Sequence, residues 1–108
     1  MDIFDYSTAG GKNLIMSYID KLSSAEQTYI LEARRMIRQE GISAFDKLTT
    51  RQLRGKLYEI KISQTRIMYI IADRDSVFFL HICKKQKGKA EKQEIDKAMK
   101  RAKKEGLM

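Results

Sequence analysis

With 108 residues, 43% of them hydrophobic and 33% charged, the chain has the composition of one globular domain spanning residues 1–108 rather than of a disordered segment. No apolar run approaches the roughly 20 residues of a bilayer span, a single cysteine (Cys83) excludes an intrachain disulfide, and a single histidine (His81) offers no metal-ligand spacing. Lys and Arg outnumber Asp and Glu by 22 to 14, for a net +8, and from Lys84 onward ten cations face four acids; such a basic end suits either a polyanion or a plainly solvated helix face.

In chain order, MDIFDY alternates weakly, which predicts a short edge strand, and carries acids where a secretory signal would carry cations, so a cytoplasmic protein is expected. Leu14, Ile15, Tyr18, Ile19 and Leu22 recur at helical spacing. Ser23 with Glu26, or Ser24 with Gln27, offers a capping box for a second helix. Its buried face would hold Tyr29, Ala33, Met36 and Ile37, and Gly41 suits its end. Residues 42–54 read as a loop with one helical turn near Ala44–Leu48. Three strands then follow, about Lys56–Ser63, Thr65–Asp73 and Ser76–Cys83, and a basic amphipathic helix, roughly Ala90–Lys104, closes the chain. The expected class is therefore α+β: two N-terminal helices on one face of a small antiparallel sheet, a three-strand meander plus the edge strand, and a C-terminal helix. All the helices are expected on one sheet face.

Side chains alternate across a strand, so register decides which of them meet. Turns at Gln64-Thr65 and Arg74-Asp75 would pair Ile62 with Ile67, Ile60 with Tyr69 and Tyr58 with Ile71, which predicts core roles for Tyr58 and Tyr69. The opposite face would carry a row of Lys61, Met68 and His81 and a next row of Ser63, Arg66 and Cys83. Met68, Ile70, Val77 and Phe79 would floor a shallow groove with a cationic end.

That cluster suits phosphate, since a guanidinium binds two phosphate oxygens at once. RNA cleavage by attack of the 2′-hydroxyl on its neighbouring phosphorus needs no metal-activated water and no cofactor. Arg66 and Lys61 would stabilise the extra charge on phosphorus, His81 could move a proton near neutral pH, and a lysine such as Lys84 could aid the leaving oxygen. Arg54, Lys56, Lys85, Lys87 and Lys89 are the expected nucleic-acid contacts. Plainer readings stand beside these: a packing role for His81, and an ion pair of Arg66 with Glu59 or Asp46. The Gly10–Asn13 stretch GGKN lacks the spacing of a phosphate loop.

Two helices followed by GKLYEIKI, a turn, TRIMYII, VFFLHICKKQK and a helix with spaced alanines resembles the RelE/ParE toxin superfamily, most closely its phage-derived HigB branch. The resemblance covers nearly the whole chain and is strongest over Leu53–Lys87. It implies a RelE-like fold and a type II toxin: an endoribonuclease acting on mRNA at the ribosome, held in a hetero-oligomer by a cognate HigA-like antitoxin with a helix-turn-helix. It also implies site roles for Arg66, Lys61, and the pair Lys84 and Lys85. Cys83 stands where the branch often has Phe, and the branch's Pro after the lysine run is absent. Two other activities fit the same pattern: gyrase inhibition, as in the ParE branch, and simple nucleic-acid binding.

Overall fold

A computed structural model describes residues 1–108. The chain runs strand β1 (Asp2–Asp5), helix α1 (Leu14–Ile19), helix α2 (Ser24–Glu40), a 3-10 turn (Gly41–Asp46), strands β2 (Thr49–Arg54), β3 (Leu57–Ile62), β4 (Thr65–Asp73) and β5 (Ser76–Lys84), and helix α3 (Gly88–Lys104). The five strands form one sheet in the order β1-β5-β4-β3-β2. All neighbours are antiparallel except β1, which lies parallel to β5 at one edge. This is the expected small α+β fold, with a strand more than the meander and its N-terminal edge.

That extra strand is β2, expected as loop. Its sequence TTRQLR holds one apolar residue, because an edge strand with both faces largely in solvent carries no alternation to read. The Asn13 side chain caps α1 by accepting from Met16 N at 2.9 Å. Ser23 caps α2: its Oγ accepts from Glu26 N at 3.2 Å and donates to the Glu26 carboxylate at 3.0 Å. The inward face of α2 is rotated from the expected one. Ile30, Ala33, Arg34 and Ile37 are buried, whereas Tyr29 is 62% exposed. Arg34 can be inside because its guanidinium grips Asp5 of β1 through two 2.8 Å bonds, to which Asn13 adds a third on the same carboxylate at 3.0 Å. The buried charge is thus paired, and β1, α1 and α2 are tied at one point.

Two hydrophobic layers sandwich the sheet. On one side Ile15, Ile19, Ile30 and Ile37 pack on Ile60, Ile67, Tyr69, Val77, Phe79 and Ile82. On the other, Ile95, Ala98 and Ala102 of α3 pack on Leu57, Met68, Ile70, Leu80 and Cys83. The helices therefore lie on both faces, not one. An apolar floor on the second face could not stay open to water, and α3 covers it.

Register explains the remaining differences. The β3–β4 turn is Ser63-Gln64, one residue earlier than expected, so Lys61 pairs with Arg66, Glu59 with Met68 and Tyr58 with Tyr69. Ser63 takes a left-handed φ of 55° there, and two bonds from Arg66 Nη1, to Ser63 O at 2.9 Å and Thr65 O at 3.0 Å, brace the turn. The expected β4–β5 turn at Arg74-Asp75 is present, and Met68 faces His81 as predicted. Between Met68 and Tyr69 a bulge at Leu80 shifts the pairing, so that Tyr69 meets Phe79 and Ile71 meets Val77. Phe79 and Val77 consequently join the α2 side, not the groove floor, and Leu80 turns to α3. Tyr69 is core; Tyr58 is not, being 37% exposed.

Candidate functional site

At the β3–β4 turn end of the α3-side face, a cleft of about 230 Å³ is lined by Arg51, Glu59, Lys61, Arg66, Lys85, Gln86, Lys87 and Glu91. Strands β2, β3 and β4 set its floor through the paired rows Arg51–Glu59–Met68 and Thr49–Lys61–Arg66. The segment after β5 forms its wall, fixed where Lys85 N donates to Gln64 O at 2.8 Å. Every lining side chain is polar or charged.

The charges in the cleft are unequally occupied. Arg51 donates from Nη2 to Glu91 Oε2 at 2.8 Å, and its Nε lies 2.9 Å from Glu59 Oε2. Those two carboxylates, Glu91 first, raise the Arg51 pKa above its ordinary value. The second contact is the weaker: Glu59 Oε2 is buried and accepts no well-aligned hydrogen bond. Lys61, Arg66, Lys85 and Lys87 take part in no ion pair. Arg66 engages the turn through Nη1 alone, which leaves Nε and Nη2 for an anion. Arg66 pairs with neither Glu59 nor Asp46.

The predicted site residues divide accordingly. Arg66, Lys61, Lys85 and Lys87 converge on the cleft. Lys84 does not line it, because alternation along β5 sets Lys84 with Ile82 on the other face. Lys89 is exposed on α3 outside the cleft. Arg54 is paired with Asp96 of α3 at 2.9 Å, and Lys56 follows it at the opposite end of β3, five residues or roughly 17 Å from Lys61.

His81 is 7% exposed and lies under α3. Arg101 Nη1 donates to the carbonyl of Leu80 at 2.9 Å and lies 3.2 Å from His81 Nδ1. A guanidinium has no acceptor to offer, so Nδ1 is the lone-pair nitrogen and Nε2–H donates to the Glu94 carboxylate. Burial lowers the His81 pKa; Glu94 raises it in part, while Arg101 and Lys97 lower it further. The ring is thus not presented to the cleft. Its nitrogen, the Cys83 thiol and the Glu94 carboxylate do fall within 4.8 Å of one another, as a metal's ligands would. With Arg101 on Nδ1, however, ligation through Nε2 would require an imidazolate. The donor set fits a hydrogen-bonded cluster and not a metal.

The sequence reading missed Arg51, Glu91, Glu94 and Arg101. The signal for the first was faint, an alternation of Arg51 and Leu53 in a polar strand. For the helix residues it was there to be used: Glu91, Glu94, Ala98 and Arg101 share one face at helical spacing with the buried Ile95 and Ala102.

A five-stranded, mostly antiparallel sheet with helices on both sides and a cationic cleft at a hairpin end is a small α+β architecture that agrees with the RelE-like fold. The chain belongs to the phage-derived Gp49-like protein family (DUF891), whose model matches residues 17–103. That family is related to the toxins of toxin–antitoxin systems. No curated protein matches the chain significantly. No helix is long and apolar enough to cross a membrane.

Proposed function

We propose that the protein is a cytoplasmic type II toxin of the RelE/HigB kind, a metal-independent endoribonuclease that cuts mRNA on the ribosome and is neutralised by a HigA-like antitoxin in a hetero-oligomer. One observation carries this reading: Lys61 lies directly opposite Arg66, and both open with Lys85 and Lys87 into a cleft in which none of the four forms an ion pair, its two carboxylates being held by Arg51. Four unpaired cations on one small concave surface repel one another, and a bound phosphate removes that repulsion.

In the proposed reaction the 2′-oxygen bonds to the adjacent phosphorus and the bond from phosphorus to the 5′-oxygen breaks. The products are a 2′,3′-cyclic phosphate and a 5′-hydroxyl end. Arg66, through Nε and Nη2, and Lys61 stabilise the charge that builds on the phosphoryl oxygens. Lys85, in the cleft where Lys84 is not, serves the leaving oxygen. Glu91 has a third of its side chain exposed and is the lining carboxylate best placed to take the 2′-hydroxyl proton, since Glu59 is buried. His81 acts at one remove: with Glu94 and Arg101 it fastens α3, the helix that brings Glu91 to the cleft. An antitoxin segment rich in acids would close the site by pairing these cations.

Induced expression followed by primer extension on cellular mRNA tests the reading. Wild type should arrest growth and cut within reading frames, and Arg66→Ala should do neither. Toxicity undiminished in Arg66→Ala would reject the site, and arrest with DNA damage over intact message would assign the protein to gyrase inhibition instead.

A further inference from the structure

On the far side of the sheet from the cleft, a second concave surface of about 430 Å³ lies over β2, β3 and β4. Phe45 stacks on Tyr69 with centroids 4.9 Å apart and planes 23° apart, and Tyr58 lies 6.1 Å from Tyr69 at 35°. Tyr69 is the buried back wall, 3% exposed, while Tyr58 is 37% exposed. Around these rings stand Asp46, Thr50 and Lys56, all exposed. Neither Asp46 nor Lys56 is engaged in an ion pair.

We propose that this aromatic groove binds a nucleobase, stacked on Tyr58 and Phe45, with Lys56 at its rim taking the attached phosphate. Three features favour a base over the apolar side chain of a partner protein. The aromatic surface is rimmed by a carboxylate, a hydroxyl and an ammonium, which match the amino, carbonyl and phosphate groups of a nucleotide and would be left unpaired against a hydrocarbon. The volume lies in the range of small-molecule sites. The groove also shares its strands with the cleft: Thr50 and Arg51 are neighbours in β2 yet face opposite sides, and β2 is an edge strand with no neighbour beyond it. A single nucleic-acid strand rounding that edge would give a phosphate to one face and a base to the other. That the strand is a message rests on the proposed function; base binding by the groove does not.

The test is titration of the intact protein with nucleoside 5′-monophosphates, with inorganic phosphate and a phenylalanine amide as controls, followed by the ring resonances of Phe45, Tyr58 and Tyr69. Nucleotides should shift these rings and phosphate should not. Tyr58→Ala should weaken nucleotide binding roughly 5- to 150-fold, the range for losing one stacked base. Tyr58→Phe should keep it, and Arg66→Ala should leave the ring shifts intact. Ring resonances of the wild type unmoved by any nucleotide, or moved only by the phenylalanine amide, would overturn the inference without recourse to a variant. Base binding by a protein that leaves message whole would retain the groove and reject the nuclease; message cutting without ring shifts would do the reverse.

Discussion

The cleft at the β3–β4 turn and the polar cluster beneath α3 lie on the same face of the same sheet and share its rows, since Arg66 pairs with Cys83 and Met68 with His81, and they are built from similar residues. In the cleft, Lys61, Arg66, Lys85 and Lys87 form no ion pair, the two lining carboxylates Glu59 and Glu91 being engaged by Arg51. Beneath α3, the partners of His81 are saturated: Glu94 accepts from one ring nitrogen and Arg101 meets the other. The same helix makes the difference. It covers those rows where they reach β5, over His81 and Cys83, and reaches the cleft only with Glu91. Unpaired charge in an open cleft is available to a ligand, whereas paired polar groups under a helix hold the helix in place.

Four outcomes would break or sharpen that contrast. The largest is Arg66→Ala, which should lower the cleavage rate by about 10²–10³ while lowering the stability read by urea unfolding by only about 1 kcal/mol, the worth of its partly exposed bonds to the turn. A comparable loss of stability would mean that Arg66 is a turn brace and nothing more. Second, His81→Ala should lower stability by about 1–3 kcal/mol, because Glu94 and Arg101 lose their shared partner in a buried place. The folded fraction should still cleave; a correctly folded variant that is inactive would return His81 to the chemistry.

Third, the His81 pKa is lowered in the folded protein, so between that value and the ordinary 6.5 the unfolded chain holds more protons. Stability should therefore fall as pH drops below about 6.5 and level off once the folded ring is also protonated. Glu94, whose pKa is lowered from 4.5 through its bond to His81 against the raising effect of burial, adds a separate loss only below that value. Thermal melts of wild type and His81→Gln across pH 5–7 check this: the variant should lose the slope above pH 5. Smallest is Lys84→Ala, which should change cleavage by less than about threefold, against roughly tenfold for Lys85→Ala if Lys85 loses about 1.4 kcal/mol of transition-state contact. Equal effects would show that the alternation along β5 does not separate them.

Much of the fold was legible because it rests on local rules. The Ser23 cap, the Arg74-Asp75 turn, the helical stripe of Ile95, Ala98 and Ala102 and the apolar alternation of β3 to β5 each involve residues close in sequence. Edge strand β2 was not legible, having almost no buried side to betray it. Nor was the Leu80 bulge, an extra residue whose only sequence trace is an apolar run that any register would accept.

The candidate site shows the same division. Strand parity alone placed Arg66 and Lys61 on one face in adjacent rows, and the turn one residue earlier than expected shifted the pairing by two residues, which kept them on that face and brought them into one row, because side chains repeat every second residue. Whether His81 faced solvent or a helix, whether Lys84 or Lys85 entered the cleft, and whether Tyr58 packed inside or lay open were decided by the bulge, by the end of β5 and by where α3 docks. Those depend on contacts between residues distant in the chain. Periodicity in sequence tells a side chain which neighbours share its face; only the packed molecule determines what covers that face.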